Sequence, residues 1–146
     1  MIIRSINESE RAAWETLFNA YADFYHVEIT TESVNTVWEW IFDPAQDFWC
    51  DVVEDGNGNL VGFTQYQLMH RSLGGSMVCY LSDLYVSPDI RGNGTGRALI
   101  DNVVQFAKEN NVPGVRWLTQ ENNYAARRLY DTYVSKSDFL LYNVSV

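Results

Sequence analysis

The stretch of this chain best equipped for chemistry is Asp83-Leu84-Tyr85-Val86-Ser87-Pro88-Asp89-Ile90-Arg91-Gly92-Asn93-Gly94-Thr95-Gly96-Arg97. It reads as a strand that runs through a glycine-rich turn into a helix. Unpaired N–H groups at a helix N-terminus, with the helix dipole behind them, attract an anion, and glycines let that anion approach the backbone. Arg91 and Arg97 add guanidinium groups able to fork onto phosphate oxygens. Two familiar phosphate loops do not fit. A Walker A loop ends Gly-Lys-Ser/Thr, whereas Gly96 is followed by Arg97 and Ala98; a dinucleotide fingerprint needs a glycine where Arg97 stands. The residues describe a pyrophosphate cradle of another kind. Elsewhere the chemistry is sparse. His26 and His70 have no partner spacing for zinc or for a Ser/His/Asp arrangement, so no metal site is suggested. Cys50 and Cys79 lack a Cys-x-x-Cys spacing and read as buried, inert thiols of a reducing compartment.

Arg91-x-x-Gly94-x-Gly96, following the strand Leu84-Tyr85-Val86, resembles the acetyl-coenzyme A signature of the GNAT N-acetyltransferase superfamily, Arg/Gln-x-x-Gly-x-Gly/Ala. A second block, Asn123-Tyr124-Ala125-Ala126-Arg127-Arg128-Leu129-Tyr130, is similar to the later Asn-x-x-Ala-x-x-Leu/Phe-Tyr helix of that superfamily. The two stand in the family's order, each with the matching secondary structure. Tyr80-Leu81-Ser82-Asp83-Leu84-Tyr85-Val86 and Trp117-Leu118-Thr119-Gln120 look most like the branch of histone and polyamine acetyltransferase-like proteins. Where the family often has Gly-Phe soon after the tyrosine, this chain has Ser137-Asp138-Phe139.

The resemblance implies direct transfer of an acetyl group from the thioester to an amine, in a ternary complex and without a covalent enzyme intermediate. That chemistry sets three needs. An amine with a reference pKa of roughly 10.4 must shed a proton, the developing oxyanion needs N–H donors, and the departing thiolate, of pKa about 8.5, needs an acid. Tyr130 takes the role of acid from its place in the second motif. Asp83 is the first choice for receiving the amine proton, directly or through water, and Glu28 the second; which face of its strand Asp83 occupies is open, because neighbouring positions point to opposite sides. The donor site implied is Leu84, Tyr85, Val86, Arg91, Gly92, Asn93, Gly94, Thr95, Gly96, Arg97, Asn123, Ala126 and Tyr130, with N–H groups of Tyr85 and Val86 on the pantetheine arm. Tyr25, Glu28 and Asp83 are expected on the acceptor side, and Trp40, off its helical stripe, is a further candidate for lining the acceptor pocket.

The formal net charge of the 146 residues is -9, which argues against general binding to nucleic acid or anionic membrane. The charge is uneven. Residues 1 to 70 carry two bases against twelve acids, a balance of -10, and residues 71 to 146 carry eight against seven, +1. An anionic first half suits a cationic acceptor, such as a polyamine, an aminoglycoside-like amine or a Lys side chain; it also suits a solvated acidic face. Acceptors with an amino-acid or peptide α-amine form an alternative, as does a module that holds acyl-coenzyme A and transfers nothing. The presence of Asp83 and Tyr130 favours an enzyme, since a pure binder needs neither.

These residues need a framework, and 47% hydrophobic and 20% charged residues supply one ordinary globular core. No window approaches the roughly 18 apolar residues of a membrane span. The start lacks a secretory pattern, so a cytoplasmic protein is expected. Ile2 to Ile6 reads as a strand, and Asn7 with Glu10 as a capping box. Trp14, Leu17, Phe18, Tyr21, Phe24 and Tyr25 then recur at helical spacing, and a second helix runs from about Thr31 to Asp43-Pro44. Phe48 to Glu54 and Leu60 to His70 form a hairpin around Asp55-Gly56-Asn57-Gly58-Asn59. Met77 to Val86 is a strand, about Gly94 to Asn110 a helix, Val115 to Thr119 a strand, Asn123 to Tyr133 a helix and Asp138 to Val144 a last strand. The order β-α-α-β-β-β-α-β-α-β predicts one α/β (α+β) domain over 1–146, a mixed, mainly antiparallel sheet flanked by helices. About 1–75 would shape the acceptor site and about 76–146 bind acetyl-coenzyme A. Exposed backbone on the last strand, or the aromatic N-terminal helices, would support a homodimer, which the resemblance also suggests.

Overall fold

The framework follows from local signals read in turn along the chain, and a computed structural model describes all of residues 1–146. Strand β1 (Ile2–Ser5) leads to Asn7, whose N–H donates to the Glu10 carboxylate at 2.9 Å. This is the reciprocal half of the capping box. The turn it starts, Glu8–Glu10, is 3₁₀, and helix α1 occupies Arg11–Phe24. Helix α2 (Thr31–Phe42) begins at Thr30, whose hydroxyl accepts from the Ser33 N–H at 3.0 Å, and stops before Pro44. Strands β2 (Phe48–Glu54) and β3 (Leu60–Arg71) are joined by a turn in which the Asp55 carboxylate accepts from the N–H groups of Asn57 and Asn59. Strand β4 (Ser76–Val86), helix α3 (Thr95–Glu109), strand β5 (Val115–Arg116) and helix α4 (Tyr124–Tyr130) complete the set.

The sheet has the order β1-β2-β3-β4-β5, antiparallel except for the parallel β4–β5 pair. One face carries α1 and α2, where Trp14, Leu17, Phe18 and Val34 bury against Cys50, Val52, Phe63 and Tyr85. The other carries α3, where Leu99, Ile100, Val103 and Ala107 pack on Val53, Val61, Tyr66, Cys79, Leu81 and Val86. A buried carboxylate anchors α3: Asp51 accepts from the Tyr66 hydroxyl and the Asn102 amide, each at 2.8 Å.

Three expected elements differ from what forms. Strand β5 ends at Arg116 rather than Thr119, and α4 ends at Tyr130 rather than Tyr133. The last strand, Asp138 to Val144, does not form; Phe139, Leu140, Leu141, Tyr142 and Val144 are exposed. A β-prone segment becomes a strand only when its N–H and C=O groups meet a partner edge. The edge on its side of the sheet is β5, which is two residues long.

A β-bulge decides the geometry of the site. Gln65 pairs with Asp83 and Tyr66 with Leu81, so Ser82 is an extra residue in β4. Simple alternation would place Asp83 beside Cys79 and Leu81, under α3. The bulge reverses the phase. Asp83 and Tyr85 therefore face α1.

Candidate active site

Strand β5 pairs only with Cys79 and Tyr80, so Leu81 to Val86 have no strand on that side. This leaves a wedge-shaped gap between the second half of β4 and α4. The register fixes which backbone groups face it. The Ser87 N–H bonds to the Val61 carbonyl, and the antiparallel alternation then directs the Tyr85 N–H at β3 and the N–H groups of Leu84 and Val86 into the gap. Val86 thus faces as expected, and Leu84 takes the place expected of Tyr85.

The gap continues over the glycine loop as a groove of about 570 Å³, lined by Leu84, Tyr85, Val86, Arg91, Gly92, Gly94, Thr95, Gly96, Arg97, Asn123, Ala126 and Tyr130 among others. Gly92 and Gly94 adopt φ of +85° and +82°, and a Cβ at either would meet nothing within 4 Å. Their role is conformational: the left-handed turn aims the free N–H groups at the start of α3 into the groove. Gly96 has a different task, since a Cβ there would lie 3.5 Å from Leu129 of α4.

The two arginines of the loop are partly committed to the protein. Arg91 donates its Nε to the Val86 carbonyl at 2.8 Å, with its guanidinium 5.7 Å from the Phe24 ring centroid and 5.4 Å from that of Tyr85. Arg97 donates to the Thr132 hydroxyl and lies over the Tyr133 ring. Asn93 does not line the groove; its amide turns back to the Ile90 carbonyl. Asn123 is the N-cap of α4, accepting from the Ala126 N–H, and donates to the Thr119 hydroxyl.

Where the loop side meets α1, acid and base candidates converge. Asp83 accepts from the Gln65 amide at 2.8 Å, and the Tyr21 hydroxyl is directed at it. Burial raises the Asp83 carboxyl above its ordinary range, and the bond from Gln65, with the Tyr21 hydroxyl nearby, opposes that rise. Burial also pushes the Tyr130 hydroxyl up to about 12, with nearby Tyr25 adding to it. Tyr130 is therefore protonated at neutral pH, and its ring packs edge-on against Trp117 with centroids 5.5 Å apart. Tyr21 and Tyr25 are raised as well, by burial first and by the Asp83 charge second. A small cavity of about 20 Å³ lies among Tyr21, Tyr25, Leu81, Ser82, Leu84, Ile100, Trp117, Leu118 and Tyr130.

The structure brings Tyr25 and Tyr130 together in the lining of both cavities and sets Asp83 close to Tyr21 and Tyr25, in the lining of neither. It leaves Glu28 apart, exposed between α1 and α2 and outside the lining of both cavities. Trp40 is also elsewhere, packed on Phe48. Sequence reasoning missed Tyr21, Gln65 and Trp117. In the sequence Tyr21 is one more ring on an apolar stripe and Trp117 part of the Trp117-Leu118-Thr119-Gln120 segment without a contact assigned, while Gln65 gains its partners only once β3 is placed.

The chain belongs to the acetyltransferase (GNAT) family, whose model matches residues 14–133. It is an acetyl-coenzyme A-dependent N-acetyltransferase. It is 31% identical over 143 residues to the D-amino-acid N-acetyltransferase HPA3 of Saccharomyces cerevisiae, covering 97% of this chain and 89% of that one. It is 27% identical over 148 residues to the uncharacterized N-acetyltransferase YhfO of Bacillus subtilis, covering 100% of this chain and 98% of that one. The same fold occurs in a probable acetyltransferase, with TM-score 0.86, 22% identity and coverage of 100% and 98%. It recurs in AAC(6')-Iy bound to the bisubstrate analogue CoA-S-monomethyl-acetylneamine, with TM-score 0.84, 17% identity and coverage of 99% and 98%. No helix is long and apolar enough to cross a membrane.

Proposed function

We propose that the acceptor is a cationic primary amine, a small polyamine-like molecule or a Lys-type side chain, acetylated by direct attack on the thioester. The observation that carries this is the Asp83 carboxylate lying close to Tyr21 and Tyr25, which with Tyr130 line a small cavity that has no Lys or Arg in its wall. A carboxylate with aromatic faces around it favours an ammonium group over an anion. The amine loses one proton to Asp83, directly or through water. Its nitrogen lone pair forms the new C–N bond, the N–H groups of the gap polarise the carbonyl oxygen, the C–S bond breaks as Tyr130 gives its proton to the thiolate, and the second nitrogen proton, shed as the amide forms, restores Tyr130. The first turn of α3, with the free faces of Arg91 and Arg97, would hold the pyrophosphate.

A second acceptor class has its own support. The groove beyond Trp117, Leu118 and Tyr130 also carries Arg116, Arg127 and Lys136, which suit an α-carboxylate, and the yeast relative is named for D-amino acids. Thiol release from acetyl-coenzyme A with spermidine, Lys peptides, D-amino acids and neutral arylamines, at two salt concentrations, separates these readings. Fastest turnover of spermidine or Lys peptides, weakened by salt, is the expected result; a preference for arylamines would sink the cationic reading, and a preference for D-amino acids abolished by Arg116→Gln would favour the second. Tyr130→Phe should lower kcat by about 10²-fold or more with acetyl-coenzyme A affinity kept.

A homodimer is part of the same reading, supported by the unpaired, apolar residues Phe139 to Val144. Light scattering of the intact chain should give twice the chain mass, and a chain ending at Ser137 the single mass. A monomeric intact chain would remove this element.

A further inference from the structure

Gln65 is fully buried in the middle of β3, directly opposite Asp83 in the β3–β4 register. A primary amide in such a place must have both ends satisfied. Its Oε1 accepts from the Trp14 indole N–H at 2.8 Å, and its Nε2 donates to Asp83 Oδ2 at 2.8 Å. An indole nitrogen is a donor only. Trp14, itself fully buried, therefore fixes which end of the amide is oxygen, and the NH₂ end has no option but to face Asp83. Oδ2, occupied by a donor that cannot accept, is held as an unprotonated acceptor.

We propose that Gln65, oriented by Trp14, is a positioning residue that keeps the Asp83 carboxylate ionised and directs the incoming amine proton to Oδ1. This rests on Asp83 being the group that receives that proton. Two features of the surroundings make the role of Gln65 specific. The titratable and polar groups near Asp83 are Tyr21 and Tyr25 from α1 and its end, Gln65 from β3, Cys50 from β2 and Tyr80 from its own strand, with Tyr130 of α4 reached through Tyr25. None of them is cationic. Burial works against ionisation, and the Gln65 hydrogen bond, with the Tyr21 hydroxyl nearby, opposes it. The bulge at Ser82 follows the Gln65–Asp83 pair at once, so the amide holds the carboxylate where the strand changes phase.

The test is the pH dependence of kcat for Gln65→Glu and Gln65→Met, with Asp83→Asn beside them. Gln65→Glu keeps shape and the Trp14 bond while placing an acceptor against Oδ2, so the two carboxyls must share a proton. Gln65→Met keeps volume and removes the donor. In both, the acid limb of kcat should move up by about one pH unit or more, with kcat recovering above it. Thermal melting and acetyl-coenzyme A affinity report whether the framework survives, and if the Met variant does not fold the Glu variant carries the test. A uniform drop in kcat at every pH, with the limb unmoved, would show that Gln65 only packs and would overturn the proposal. Asp83→Asn with wild-type kcat and an unmoved limb would instead overturn the role of Asp83 and the proposal with it.

Discussion

Gly94 offers the sharpest separation of conformational from steric effects. Its φ is +82°, and a Cβ there would meet no atom within 4 Å. Gly94→Ala therefore acts only through the backbone, where an alanine in the left-handed region costs about 1–2 kcal/mol. If the loop keeps its shape, that cost falls on folding, and melting drops by about 2–8 °C at about 2–4 °C per kcal/mol for a chain of this size. If the loop relaxes instead, the free N–H groups swing away, and acetyl-coenzyme A must restore the turn on binding. The same cost then weakens Kd by about 5- to 30-fold. Gly56 is the control, since it also has open space around it but no positive φ. Gly56→Ala should be neutral or stabilising by about 0.4–1 kcal/mol. Gly94→Asn should fall between wild type and alanine, because asparagine tolerates the left-handed region better. Melting curves and calorimetric titration with acetyl-coenzyme A read both arms. If Gly94→Ala matches Gly56→Ala in both, the conformational account of the loop is refuted.

Asp83 should trade stability against activity. Its folded-state carboxyl is raised, so the native state binds that proton more readily than the unfolded chain, and the group opposes folding at neutral pH until the pH falls through its raised value. Asp83→Asn is expected to melt higher than wild type at neutral pH, with the gap closing on acidification, while kcat collapses; a lower melting temperature at neutral pH would contradict the sign. In the α3 core, Ile100 is fully buried, and Ile100→Ala should cost about 2–5 kcal/mol, lowering melting on the order of 10 °C. Leu73, 93% exposed, is the matched comparison, and Leu73→Ala should stay within about 0.5 kcal/mol of wild type by denaturant titration. Similar losses at both positions would mean the core is not where burial places it.

Much of this site is local, and local features are legible in one dimension. A left-handed glycine turn opening a helix is written in Gly92 and Gly94; a cap is written in Asn7 with Glu10 and a hairpin turn in Asp55 to Asn59. Helical and strand periods then place Trp14, Leu17 and Phe18, or Val52 and Phe63, on buried faces. Each of these depends on a few neighbouring residues and on rules of period and conformation that act within a turn or two of chain. The glycine turn and the order of elements from β1 to α4 came from that level, and the places of the donor loop and Tyr130 from resemblance to the family's motifs.

What depends on register did not. The phase of β4 changes at Ser82, and only the pairing of Gln65 with Asp83 and Tyr66 with Leu81 shows that Asp83 turns toward Tyr21 instead of α3. The same ladder selects the N–H groups of Leu84 and Val86, rather than Tyr85, for the gap. Gln65 and Trp14 meet across 51 positions of sequence, and Trp117 reaches Tyr130 because β5 stops at Arg116. Residues Asp138 to Val144 have the composition of a strand and form none, because strand formation requires an edge to pair with. Composition and period thus settled which segments fold locally and where a glycine turn opens a helix. The orientation of the Asp83 carboxylate was settled by long-range pairing, since a one-residue shift exchanges the two faces of a strand.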